Sequence, residues 1–204
     1  MRHLRALLAG ICGGLFLCSA PGLAAAQVGV EAAVLDELNF ARTHPAQYAR
    51  ELRRSAARGG EVGYSEIGNE DLDALAEAID FLSRQRPLPP LKPSEGLAAA
   101  ARAHARMQGR TYLVGHVSPD GATLSERLHA HGVWAGLAAE DISYGYDDPR
   151  EVVRQLIIDS GVPSRGHRQN IFGAHYQLAG VSCAAHRAWG AMCVIDFAGA
   201  LAQR

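Results

Sequence analysis

Between Glu31 and Arg54 the apolar residues Val34, Leu35, Leu38, Ala41, Tyr48 and Leu52 recur at helical spacing and predict an amphipathic helical stretch. Pro45, directly after Thr43-His44, either breaks that stretch or opens a second helix, because proline cannot occupy a helix interior. Ser55 to Gly68 is glycine-rich and polar and is expected to be a loop. Leu72, Leu75, Ala76, Ile79 and Leu82 then share one face of a helix expected over Asp71 to Arg84. Four prolines between Pro87 and Pro93 force an extended, rigid connector.

Ser94 is expected to cap the next helix, with Glu95 in its first turn. The alanine-rich run Leu97 to Met107 has high helix propensity and small side chains that permit close packing. A loop around His116 follows from Gly115 to Gly121, then a short helix from about Leu124 to Ala130 that ends near Gly132. Asp148-Pro149 starts a helix running to about Asp159, with Val152, Val153, Leu156 and Ile157 on its buried side. A loop is expected from Gly161 to Tyr176. The β-rich segments Gln177 to Ala184 and Trp189 to Ala198 read as an antiparallel hairpin.

The amino terminus changes this picture. Met1 to Arg5 carries two arginines and no acid, Leu7 to Leu17 is apolar or glycine except for Cys12, and small residues stand at Ala24 and Ala26. That order predicts a cleavable signal peptide over residues 1–26. The apolar core is shorter than the roughly 20 residues of a bilayer span, which argues against an uncleaved anchor, and no transmembrane segment is expected after cleavage. Leu17 before Cys18 is a poor context for lipid attachment. The chain is therefore expected to be secreted or periplasmic.

Cleavage would leave residues 27–204, enough for one domain with a real core. Its formal charge would come from 18 basic against 21 acidic side chains, and no basic stripe points to nucleic acid. Only Cys183 and Cys193 would remain. An even pair outside the cytoplasm is expected to form a disulfide, the alternative being two buried free thiols.

Motifs for a serine-hydrolase elbow, a zincin helix, a phosphate-binding loop, a dinucleotide fold and a CxxC redox pair are all missing from the sequence. Histidines and carboxylates at loops and helix ends are what remains. Gly115-His116-Val117-Ser118-Pro119-Asp120-Gly121, Ala139-Glu140-Asp141-Ile142, Gly166-His167-Arg168-Gln169-Asn170-Ile171 and Gly180-Val181 follow one another in that order. Leu38-Asn39 with Arg42, Leu88 with Leu91-Lys92-Pro93, and Cys193-Val194-Ile195-Asp196-Phe197 accompany them.

Together these motifs resemble the CAP superfamily (cysteine-rich secretory, antigen 5, pathogenesis-related 1), in its short bacterial exported form with a core of about residues 35–198. The resemblance implies an α/β (α+β) fold, an α-β-α sandwich with a small, mostly antiparallel sheet between helical layers. It also implies a cleft tetrad of His116, Glu140, Asp159 and His167, whose nitrogen and oxygen donors suit Zn²⁺ or another divalent cation. The sequence departs from the family at Ala139-Glu140-Asp141, where Gly-Glu-Asn is usual, and at Leu156, where an aromatic is usual. Asp159 is shorter than the glutamate of animal members, so a role as partner of a ligand is the alternative to direct ligation.

Arg168 and Asn170 are expected to stabilise the loop, and His44 and His104 to be structural. His129-x-His131 has the form of a small metal clip at a surface helix end. Ser118, near His116, lacks the surroundings of a nucleophile. The function so implied is a non-enzymatic cleft for a small or lipid-like molecule or a cell-envelope component. A metal-assisted hydrolase or peptidase with Glu140 as base is the alternative.

Overall fold

The first helical stretch divides where proline requires it. In a computed structural model, which describes residues 22–57 and 71–200, helix α1 (Gly22–Thr43) ends one residue before helix α2 (Pro45–Ala57), and Pro45 occupies the tolerated first position. Residues 1–21 of the expected signal peptide lie outside the described residues, while Gly22 to Ala26 already belong to α1. Most of the expected Ser55 to Gly68 loop also lies outside them; Ser55 to Ala57 instead complete α2.

Helix α3 (Leu72–Arg84) is capped by the Asp71 carboxylate on the Asp73 N–H. Helix α4 (Glu95–Gln108) is capped by Ser94, helix α5 (Leu124–Ala130) by a reciprocal Thr123–Glu126 box, and helix α6 (Pro149–Ile158) by Asp148. The proline-rich connector is extended as expected. Its end, strand β1 (Lys92–Pro93), pairs in parallel with strand β3 (Leu178–His186). The hairpin of β3 and strand β4 (Gly190–Ala198) is antiparallel, and Cys183 and Cys193 face each other in register and form the disulfide.

Two elements were not foreseen. Strand β2 (Ala138–Tyr144) pairs antiparallel with β4, giving the sheet order β1-β3-β4-β2. Helix α7 (Gly166–Ile171) interrupts the expected loop. Acidic residues are poor strand formers, so Glu140-Asp141 masked β2, and six mostly polar residues give α7 no apolar periodicity.

The layers follow from side-chain alternation along the strands. Val181, Cys183, Cys193, Ile195 and Phe197 join α1, α2, α3 and α6 in the main core, whereas Met192 and Val194 pack with α4. The small residues of α4 let its backbone settle directly on the sheet: a Cβ on Gly180 would stand 2.0 Å from the Ala98 nitrogen. The result is the mixed α+β sandwich implied by the sequence. Among the described residues no helix is long and apolar enough to cross a membrane.

Candidate functional site

Strand β2 lies at one edge of the sheet, and its alternation splits neighbouring residues between the two layers. Glu140, Ile142 and Tyr144 face the α4–α5 side. Asp141 and Ser143 face the other, where Asn170 of α7 donates to Asp141 Oδ1 at 2.7 Å and Ser143 donates to Gln155 of α6 at 2.5 Å. A cavity of about 320 Å³ opens beside this edge, and both His116 and His167 line it.

His116 stands on a loop tied down from three elements. His104 Nε2 and Gln108 Nε2 of α4 donate to the Gly115 carbonyl at 3.0 and 2.8 Å, and the Gly115 N–H donates to the Tyr144 hydroxyl at 2.9 Å. Gly115 adopts φ +104°, a conformation that excludes most side chains and explains glycine there. Arg127 of α5 donates to the carbonyls of His116 and Ala122, each at 3.0 Å, and also reaches Ser118 Oγ at 3.2 Å. Ser118 hydrogen-bonds to His104 Nδ1 at 2.7 Å inside this brace, so His104 is structural as expected.

The imidazole of His116 donates from Nδ1 to Glu140 Oε1 at 2.9 Å, and the other Glu140 oxygen takes Arg127 Nη2. Burial opposes ionisation of Glu140, but the His116 hydrogen bond and the Arg127 charge outweigh it and hold the carboxyl below its ordinary range. Asp196 is the cross-strand partner of Glu140 and is fully buried, with no protein donor to either oxygen. Burial, reinforced by the neighbouring Glu140 charge, pushes Asp196 well above the usual carboxylate range. A protonated Asp196 can donate one hydrogen bond to Glu140, which gives one of its two oxygens a partner.

His167 is held differently. Asp159 ends α6 in the left-handed region (φ 58°, ψ 41°), which turns its carboxylate toward the start of α7. There Oδ1 accepts His167 Nδ1–H at 2.6 Å and Oδ2 accepts the His167 backbone N–H at 3.0 Å. Burial alone would lower the pKa of His167, but the Asp159 hydrogen bond, reinforced by the Asp159 charge, raises it above 6.5. Burial pushes Asp141 up to about 8. Arg168 donates to the carbonyls of Ile157 and Ile158 and pairs with Glu77 of α3, fixing α7 against the end of α6.

The structure brings the four expected residues together as two histidine–carboxylate dyads beside one cavity. Glu140 does not line the cavity, and Asp159 acts as the partner of His167. The residues fit a four-coordinate zinc site poorly. Both oxygens of each carboxylate already accept a hydrogen bond, and the Arg127 guanidinium is one of the donors to Glu140. Among the described residues no group of three His, Cys, Asp or Glu side chains is arranged to hold a metal ion. With both Nδ1 atoms committed, Nε2 is the nitrogen that each ring has left for a ligand. His129 stacks on Trp134 with ring centroids 3.9 Å apart.

The remaining wall is largely apolar, including Ile142, Tyr144, Leu156, Val162 and Trp189. Sequence reasoning missed Arg127, Gln108, Asp141 and Asp196. Only Arg127 carried a usable hint, as a cationic residue in the last turn of a short helix.

The family model for the cysteine-rich secretory protein family (CAP) matches residues 35–197. No curated protein matches the chain. Among solved structures, an extracellular protein containing an SCP domain from Bacillus anthracis is 24% identical with a TM-score of 0.47, over 55% of this chain and 35% of that one. An outer surface protein of Borrelia burgdorferi is 20% identical with a TM-score of 0.47, over 55% and 79%. A cysteine-rich secretory protein from Staphylococcus aureus is 17% identical with a TM-score of 0.43, over 68% and 40%. The match spans only about a third of the length of the Bacillus protein.

Proposed function

The chain belongs to the cysteine-rich secretory protein (CAP) family, and from that premise we propose that it is an exported binding domain for a small amphiphile. The acidic or hydrogen-bond-accepting head of the ligand sits at His116 and His167, and its apolar body lies against Ile142, Leu156 and Trp189. The single observation that carries this reading is the meeting of two carboxylate-buttressed imidazoles with a largely apolar wall in one cavity.

His167 supports an acidic head, because its raised pKa keeps it cationic further into the neutral range than an ordinary histidine. The disulfide supports export, since such bonds persist in oxidising compartments. The apolar leader over residues 1–26 points the same way. Binding is proposed to need neither metal nor catalysis. The base in the hydrolase alternative would be Glu140, whose oxygens are both committed to His116 and Arg127.

The test is titration of the purified protein with anilinonaphthalene sulfonate, a sulfonate on an apolar aromatic body, followed by displacement with decanoate. Saturable binding that survives a chelator, weakens as pH rises past the His167 pKa and disappears in the His116→Ala, His167→Ala double variant is expected. Dye binding unaffected by those substitutions in a protein that still melts cooperatively would reject the reading, as would strict dependence on Zn²⁺.

A further inference from the structure

We infer that the loop at the mouth of the cavity docks the protein onto an anionic lipid bilayer. Tyr112, Leu113, Val114 and Val117 are 56–67% exposed and fall within six consecutive residues. Folded domains rarely leave such a contiguous apolar strip in water without a use for it.

The strip is held rigidly outward. Thr111 Oγ1 donates to the Gln108 carbonyl at 2.8 Å and accepts the Leu113 N–H at 3.1 Å. The Leu113 carbonyl accepts from His186 Nε2 at 3.0 Å, and the Gly115 amide and carbonyl are bound as described above. These bonds fix the backbone that carries Tyr112, Leu113 and Val114, and all four side chains stand exposed.

Charge selects the occupant. Arg106 and Arg110 precede the strip and are exposed, as is Arg187 in the β3–β4 turn, whose guanidinium lies 4.8 Å from the Tyr112 ring centroid. No acidic residue occurs between Gly96 and Pro119 or between His186 and Gly190. An apolar tip with an interfacial tyrosine, an arginine over that ring and two exposed arginines just before it is complementary to an acyl layer beneath anionic headgroups. Val114 and Trp189 line the cavity as well, so the apolar surface continues from the tip into the binding site. Docking this way would set the cavity mouth at the headgroup level.

Sedimentation of the purified protein with vesicles tests this, using phosphatidylcholine alone and phosphatidylcholine mixed with phosphatidylglycerol. Wild type is expected to partition preferentially onto the mixed vesicles, and less so at high salt. Leu113→Asp with Val117→Asp, which leaves the cavity wall intact, should weaken partitioning at least about tenfold. Arg110→Gln and Arg187→Gln should each weaken it about fivefold on mixed vesicles only. Both sets should melt as wild type does. Undiminished partitioning of the aspartate variant would overturn the inference, as would wild type binding neither vesicle, or self-association through the strip without vesicle binding. The inference stands apart from the amphiphile reading, because the Leu113 and Val117 substitutions should leave dye binding in solution unchanged.

Discussion

Replacing Asp159 by asparagine separates the charge of the second dyad from its shape. Asparagine tolerates the left-handed backbone that Asp159 adopts (φ 58°), so the end of α6 is preserved and the strain another residue would add is avoided. The change removes the anion that accepts the His167 ring N–H at 2.6 Å, and it leaves one acceptor oxygen for the two donors now served. Charge-assisted hydrogen bonds of this kind contribute about 1.5–3 kcal/mol, and both partners are largely shielded from solvent. A loss of about 2 kcal/mol corresponds to a melting temperature roughly 4–8 °C lower for a chain of this size.

The pH dependence has a definite sign. The folded-state pKa of His167 lies above its unfolded value of 6.5. The ionic part of the stabilisation is therefore fully present below 6.5 and lost as pH rises through the folded pKa. The gap between wild type and Asp159→Asn should be widest on the acidic side of neutrality and narrow above it. Thermal melts across that range and NMR titration of the His167 ring measure both effects. A His167 ring that titrates as high in the variant as in wild type would refute the proposed electrostatics.

Three further outcomes are expected. Asp141 carries a folded pKa of about 8 against 3.8 unfolded, so stability falls as pH climbs between those values; Asp141→Asn should gain at least about 1 kcal/mol at neutral pH and flatten that slope in urea unfolding. Gly180→Ala forces a Cβ to 2.0 Å from the Ala98 nitrogen and 2.3 Å from the Leu97 carbonyl carbon. It should destabilise by at least about 3 kcal/mol, read as a lost or strongly lowered melting transition. Reducing the Cys183–Cys193 bond releases a short hairpin loop and should cost about 2–3 kcal/mol by calorimetry, with cavity binding retained, because the bond lies in the main core away from the two dyads.

The helices α1 to α6, the proline connector, the hairpin and its disulfide were readable along the chain because their causes are local. Apolar spacing, capping residues such as Ser94 and Asp148, and the breaks at Pro45 and Pro87 act within a few residues of themselves. The motif order was equally legible, and it named both histidines of the site. Tertiary structure decided what their partners do. Arg127 reaches Glu140 over thirteen positions and Asn170 reaches Asp141 over twenty-nine, while Asp196 meets Glu140 only through strand register. Those pairings set which carboxylates keep a proton and which oxygens are already spoken for, and they arrange the expected tetrad as two buttressed imidazoles. Burial and charge proximity depend on distances in space, and no spacing along a chain encodes them until the sheet and its two helical layers close.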